Sequence, residues 1–326
     1  MLANTLQGDW SMDSFALSAS DGHEVACYSW VPDNPRAVVQ IAHGMGEHAR
    51  RYDWVAQQLT AKGYAVYAND HRGHGGTSGP VLGYMGADGW NRSLADMYEL
   101  AQFAKGKHEG LKLILLGHSM GSMLCQQYIT RYGCSIDALV LSGSPGFRKS
   151  RLAFIGHMMM KFECWRHGPD GVSELMQNAL FGKSNVAFDG PGATGYEWLS
   201  HDQEVVAAYM ADQQCGFVLS PGSLLEMYEG SAISQDKLGL LRIPQNLPIY
   251  VFSGSEDPVH GQQADLDRLV DAYRKRGLAQ VTYKLYPGGR HEMLNEKNKG
   301  EVVTELVQWL EQALEQQLEQ QLEQQL

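Results

Sequence analysis

Gly117-His118-Ser119-Met120-Gly121 sets a serine between two glycines, directly after the apolar run Leu113–Leu116. The stretch that follows, Met120–Tyr132, is amphipathic and long enough for a helix. In a strand–turn–helix setting such a turn projects the serine hydroxyl, and the glycines let strand and helix approach closely. The serine also stands at a helix N-terminus, where unpaired N–H groups favour developing negative charge. A hydroxyl is a weak nucleophile. It needs a base, the base needs an orienting group, and the oxyanion formed by attack needs donors. Past the apolar run Pro248–Ser255 come Glu256 and Asp257, an acid just beyond a strand end. Asp257 is the expected orienter, because Glu256 should point the other way. Past the run Val281–Pro287 comes Gly288-Gly289-Arg290-His291, which supplies the base. Upstream, past Ala37–Ala42, the glycine-rich turn His43-Gly44-Met45-Gly46 can offer the Met45 N–H, together with that of Met120, to an oxyanion. Activity through such a set should rise with pH through an apparent pKa near about 6–7, where histidine becomes neutral.

The elements that must position these residues follow from the hydrophobic pattern. Ser14–Ser18 and Glu24–Val31 flank an Asp21-Gly22 turn signal and predict an antiparallel hairpin. Short β-branched runs then alternate with helix-length amphipathic stretches. Ala37–Ala42 precedes Tyr52–Ala61, Tyr64–Ala68 precedes Asn91–Phe103, Leu111–Leu116 precedes Met120–Tyr132, and Ile136–Ser142 follows. Such alternation predicts parallel strands with crossover helices, and Gly63 is placed as a helix C-terminal cap. From 146 to 238 no comparable strand run occurs. That stretch holds six of the fourteen methionines and scattered aromatics, and reads as a mostly helical insertion whose soft side chains suit an acyl-chain pocket wall. The pattern resumes with Pro248–Phe252, the helix Gln262–Lys275, the strand Gln280–Tyr286 and a final helix from about Gly300. The expected division is a core at 1–145 and 239–310, the insertion at 146–238 and a low-complexity helical tail at 311–326. In the tail Leu310, Leu314, Leu318, Leu322 and Leu326 recur every fourth residue, a stripe that winds around a helix instead of keeping one face.

Composition narrows the classes. The chain has 326 residues, 44% hydrophobic and 19% charged, as a globular protein with a large core would. Its net charge of −11 argues against nucleic-acid binding, which draws on basic side chains. Four of the acidic residues, Glu311, Glu315, Glu319 and Glu323, lie in the tail, so the acidity is no clue to the site. No apolar run approaches the roughly 18 residues of a membrane span, and the N-terminus lacks the basic and apolar regions of a signal peptide. The five cysteines include no C-x-x-C pair and give neither a disulfide framework nor a zinc spacing. These features predict a cytoplasmic protein with reduced thiols, at most peripheral to the inner membrane through transient contact. They carry no reading of oligomeric state.

The segments HGMGEHARRY at 43–52, NDHRGHGGTSG at 69–79, GHSMGS at 117–122, SGSEDPV at 253–259 and GGRHEMLNE at 288–296 together resemble the monoacylglycerol lipase and lysophospholipase branch of the α/β-hydrolases. Residues 196–217 also resemble that branch's bacterial members, in a family that contains serine aminopeptidase-like members as well. The resemblance spans roughly residues 12–310. It implies the α/β-hydrolase fold, a mostly parallel twisted sheet with an N-terminal antiparallel hairpin, helices on both faces and a helical lid. It also implies a serine ester hydrolase acting on single-acyl-chain lipids, without cofactor or metal. Ser119 would be the nucleophile, His291 the base and then acid, Asp257 its orienter, and Met45 and Met120 the oxyanion donors. By the same analogy Glu47, Arg51 and His118 fall on the substrate side, Glu47 and Arg51 anchoring the polar head group or the loop that carries it. One position departs. Mammalian-type members carry a second histidine three residues past the catalytic one, where this chain has Leu294. Lysophospholipid and short-chain esters therefore stand beside monoacylglycerol as candidate substrates.

Three other classes compete. Gly44-x-Gly46-x-x-Ala49, with Asp70 at the end of the next strand, matches a dinucleotide-binding fingerprint. Against an NAD-dependent oxidoreductase stand the preceding hairpin, the Arg50-Arg51 pair at the helix start and the unexplained Ser119, Asp257 and His291. Asp70, His71 and His74, with His43 and His48 nearby, could form a metal site, although a loop brace is the plainer expectation, and a triad esterase should ignore EDTA. A non-catalytic binding protein of the same fold would be expected to lack a triad member.

Overall fold

The computed structural model describes residues 10–147, 151–261 and 263–323. Residues 1–9, 148–150, Gln262 and the last three residues, including Leu326, lie outside that description, as do the side chains of Leu318 and Leu322.

Among the described residues eight strands form a single sheet. They are β1 (Asp13–Ser18), β2 (Glu24–Trp30), β3 (Ala37–Ala42), β4 (Tyr64–Asn69), β5 (Leu113–His118), β6 (Ala138–Ser142), β7 (Ile249–Gly254) and β8 (Val281–Tyr286). Their order is β1-β2-β4-β3-β5-β6-β7-β8. The hairpin β1–β2 turns at Gly22, whose φ of +82° is open to glycine at little cost. It joins the sheet antiparallel through β2–β4, and every pairing beyond is parallel. Strands β3 to β7 are buried along their whole length, which is why they read as unbroken apolar runs without alternation.

Helices cover both faces. They include α1 (Asp53–Ala61), α2 (Gly89–Lys107) and α3 (Met120–Tyr132). Along β5, Leu113 and Leu115 face the layer that contains Leu94 and Leu124. Ile114 and Leu116 face the layer that contains Val55 and Leu306. Gly63, at φ +84°, ends the α1 region as expected.

Between β6 and β7 the described residues form α4 (Arg151–His167), α5 (Glu174–Phe181), α6 (Gln203–Ala211), α7 (Pro221–Gln235) and α8 (Lys237–Leu241), with no strand among them. Each of α5 to α8 starts at a Ser or Asp whose side chain accepts a first-turn N–H, namely Ser173, Asp202, Ser220 and Asp236. After β7 come α9 (Ala264–Arg276) and α10 (Lys299–Glu323). The tail is no separate unit. It prolongs α10, with Leu310 and Ala313 buried, Glu311 paired to Arg36 at 2.7 Å and Gln317 Nε2 donating to the Asp137 carbonyl at 2.6 Å. Among the described residues no helix is long and apolar enough to cross a membrane.

Candidate active site

Ser119 occupies the turn between β5 and α3 at φ +50° and ψ −116°, a conformation that a non-glycine residue holds only under constraint. The constraint is visible. Its N–H donates to the Ser142 carbonyl at 3.0 Å, and its own carbonyl accepts from Ser122 N at 3.0 Å. A Cβ at Gly121 would strike the Ala42 carbonyl, and one at Gly117 would lie 2.6 Å from Cys125 Sγ. These glycines thus let α3 start hard against β3 and β5, lifting the Ser119 hydroxyl at the C-terminal edge of the sheet.

The loops after β7 and β8 bring the partners to that edge. His291 Nε2 lies 2.9 Å from Ser119 Oγ, and His291 Nδ1 lies 2.9 Å from Asp257 Oδ2. Asp257 is held from several sides. Ser253 Oγ donates to Oδ2 at 2.7 Å, and Val259 N donates to Oδ1 at 2.8 Å. Glu256 is exposed, so Asp257 alone of the two acids meets the histidine.

The two ring environments set opposite protonation tendencies. Burial disfavours the charged form of His291, but the Asp257 carboxylate, by charge and by hydrogen bond, outweighs it, with Glu292 and Glu47 adding. Its pKa is raised above the ordinary imidazole value. The activity limb expected near about 6–7 therefore belongs on the alkaline side of an unperturbed histidine. Burial likewise opposes ionisation of Asp257, and the charge of His291 leads the influences that bring its pKa below the usual carboxylate value. The neighbouring His118 ring, 4.7 Å from that of His291, is pushed down to about 4 by burial and by His291, and stays neutral. His118 Nδ1 faces Ser142 Oγ at 3.4 Å.

Met45 and Met120 sit in the turns that flank the serine. Neither backbone N–H has an acceptor among the described residues. The Met45 turn is braced from within. Glu47 accepts from Gly44 N at 2.5 Å, Tyr52 OH at 2.9 Å and Arg51 Nη1 at 2.5 Å. Arg51 also makes two bonds to Glu292, at 2.7 and 2.8 Å, and lies over the Tyr209 ring. Burial works against the Glu47 charge, yet Arg51 and the nearby histidines hold its pKa down to about 2. Both side chains are turned into the protein and tie the Met45 loop to the residue beside His291. Arg51→Met would leave two buried carboxylates without their cation and should destabilise the fold by roughly 3–5 kcal/mol. Urea unfolding measures this, and a loss below about 1 kcal/mol, the scale of an exposed ion pair, would contradict the bracing role.

Sequence reasoning missed Glu292 and Trp198. The His291 N–H donates to the Trp198 carbonyl at 3.3 Å, and the indole ring packs 5.0 Å from the imidazole. Glu292 N donates to the Leu199 carbonyl at 2.8 Å, and Arg290 Nη1 to the carbonyls of Glu197 and Ser200. The only sequence signals were adjacency to His291 and membership of the segment 196–217.

Asp70 accepts from Ala49 N, Gly76 N and Tyr28 OH, joining the loop after β4 to the Met45 loop, where a ribose-binding acid would need to be free. His43 packs 4.2 Å from the His71 ring and 5.1 Å from that of His74, and its Nε2 accepts the His71 backbone N–H. Burial lowers the pKa of all three.

A mostly parallel sheet with an antiparallel leading hairpin and a strained serine turn after the fifth strand defines an α/β-hydrolase. Residues 33–298 match the family described as Serine aminopeptidase, S33, and the chain belongs to that family. Within it the chain falls in the monoacylglycerol lipase branch and is a carboxylic ester hydrolase of the serine hydrolase class. A monoacylglycerol lipase of Mycolicibacterium smegmatis is 32% identical over 86% of this chain and 90% of its own length. A solved lipase described in its open form is 28% identical, with a TM-score of 0.82 over 93% of this chain and 99% of its own. A soluble variant of monoglyceride lipase from Saccharomyces cerevisiae, solved with a substrate analog, shares the fold at 19% identity and a TM-score of 0.69, covering 96% of this chain and 97% of its own.

Proposed function

We propose that this chain hydrolyses esters of single-acyl-chain lipids, monoacylglycerol or lysophospholipid, through an acyl-enzyme on Ser119. The observation that carries the reading is the continuous line Ser119 Oγ, His291, Asp257, with 2.9 Å at each junction. Ser119 Oγ attacks the ester carbonyl carbon while His291 Nε2 takes its proton. Asp257 keeps the Nδ1 proton in place and stabilises the imidazolium that forms. The Met45 and Met120 N–H groups receive the oxyanion. Collapse of the tetrahedral species breaks the bond to the alcohol, which leaves with the proton from His291. Water, deprotonated by His291, then repeats the attack on the acyl-enzyme and frees the fatty acid and Ser119. His118, neutral and packed on His291, and the Glu47–Arg51 pair act by holding these groups in position.

We assign the helices of 146–238 to a lid over this site. The similarity to monoacylglycerol lipases over most of the chain, and its soft apolar content, support an acyl-chain pocket there. The test is a p-nitrophenyl ester series from acetate to palmitate, followed by monoacylglycerol and lysophosphatidylcholine of the best chain length. A maximum at medium or long chains with turnover of either lipid is expected. A maximum at acetate with neither lipid cleaved would make the protein a short-chain carboxylesterase instead.

A further inference from the structure

The loop that carries Met45 is joined to the segment after α6 by three successive contacts. Gly216 N donates to the Gly46 carbonyl at 2.9 Å, His48 Nε2 pairs with Asp212 Oδ2 at 2.9 Å, and Arg50 Nη2 donates to Gln214 Oε1 at 2.7 Å. At the centre of this junction His48, Asp212 and Cys215 each bring one ligand atom within 4.8 Å of the other two. Asp212 shapes the turn that presents the thiol. Its carbonyl accepts from Cys215 N at 3.0 Å, and its Oδ1 accepts from Gln214 N at 2.8 Å, which leaves Oδ2 toward the imidazole. His48 is only 4% exposed, and its buried Nδ1 has no partner. Of the two nearby cations, Arg50 is held by Gln214, and Arg51, which faces Cys215, is held by Glu47 and Glu292.

We propose that His48, Asp212 and Cys215 form a binding site for a zinc-class divalent ion that staples the lid segment to the loop carrying Met45. One imidazole, one carboxylate and one thiolate are a donor set that zinc accepts, with water completing a tetrahedron. Bonds of about 2.0–2.3 Å place tetrahedral ligand atoms roughly 3.3–3.8 Å apart, so the three atoms, within 4.8 Å of one another, draw closer when the ion binds. On binding, the His48 ring carries its one proton on Nδ1, so that Nε2 gives its lone pair to the ion in place of the bond to Asp212, and the thiol proton leaves to solvent. The ligands come from segments distant in sequence, which is why no metal spacing is legible there. Because the Met45 loop flanks Ser119, an ion that fixes this junction is expected to hold that loop in one arrangement, and zinc should inhibit ester hydrolysis.

Cobalt(II) is the probe, because thiolate coordination gives a near-ultraviolet charge-transfer band that oxygen and nitrogen ligands do not. The wild type should show that band, saturating at one equivalent and displaced by zinc. Cys215→Ser should abolish it and His48→Gln should weaken binding at least about tenfold, the scale on which losing one strong contact acts. Cys134→Ser and Cys164→Ser should leave it intact. Absence of the band in the wild type, or its persistence in Cys215→Ser, overturns the site. The inhibition arm rests on the hydrolase reading and the cobalt arm does not. Zinc should inhibit ester hydrolysis by the wild type and spare Cys215→Ser, a folded variant by circular dichroism. Equal inhibition of both overturns the staple even where cobalt binds.

Discussion

Ser119→Ala should lose on the order of 10⁴–10⁶-fold in kcat for the best p-nitrophenyl ester while its unfolding midpoint stays close to that of the wild type. The hydroxyl is the atom to which the acyl group must bond, and among the described residues no other nucleophile is hydrogen-bonded to His291 Nε2, whose 2.9 Å contact is with Ser119 Oγ. Stability should hardly fall, because the side chain makes no capping bond to α3. The strained φ at this position is unchanged by the substitution, because alanine keeps the Cβ that makes it costly. Residual activity above the background of ester hydrolysis measures what the Met45 and Met120 donors do unaided. A variant with more than a tenth of wild-type turnover would remove Ser119 from the mechanism.

The second large effect is expected from Asp257→Asn. An amide at this position can donate to His291 Nδ1, which then carries no proton and forces the proton onto Nε2, the atom that must accept it from Ser119. The corresponding change in a serine protease triad costs roughly 10⁴-fold, and a comparable loss in kcat is expected here. The pH profile separates this from a mere loss of fold. In the wild type, Asp257 outweighs burial and raises the His291 pKa, so kcat/KM rises with pH along a limb alkaline of an ordinary imidazole. Removing the carboxylate charge leaves burial to act against the imidazolium. The pKa falls, the base is neutral down to lower pH, and the limb of the residual activity moves to the acid side. A limb that stays in place in Asp257→Asn, or a flat wild-type profile across it, would detach Asp257 from His291.

What the sequence displayed and what it hid follow from how local each feature is. Ser119, Asp257 and His291 each come just after an apolar run, and a strand followed by a tight turn is a pattern readable within ten or so residues. Parallel crossovers then dictate that successive strand ends share an edge, so the three residues had to converge. The preference for Asp257 over Glu256 was likewise local, since adjacent residues at a strand end point apart. The bracing residues were not legible because their partners lie far along the chain. Arg51 reaches Glu292, His291 leans on the Trp198 carbonyl, and His48 meets Asp212, none of which spacing could pair. Analogy has Glu47 and Arg51 anchor a polar head group or the loop that carries it, and the structure turns both inward, onto Gly44 N and Glu292. The leucine repeat of the tail gave a helix correctly. Its docking through Glu311 to Arg36 and Gln317 to the Asp137 carbonyl depended on where α10 lies against the sheet.

The central claim, an acyl-enzyme formed on Ser119 within this triad, is tested most directly by covalent capture. Incubation with an alkyl fluorophosphonate, a stable mimic of the tetrahedral species, should add one phosphonyl group per chain, with fluoride as the leaving group. Intact mass should show a single adduct, peptide mapping should place it on Ser119, and ester hydrolysis should fall in proportion to the fraction modified. Ser119→Ala should take up none. An adduct on another residue, or full hydrolytic activity in protein completely modified at Ser119, would contradict the account.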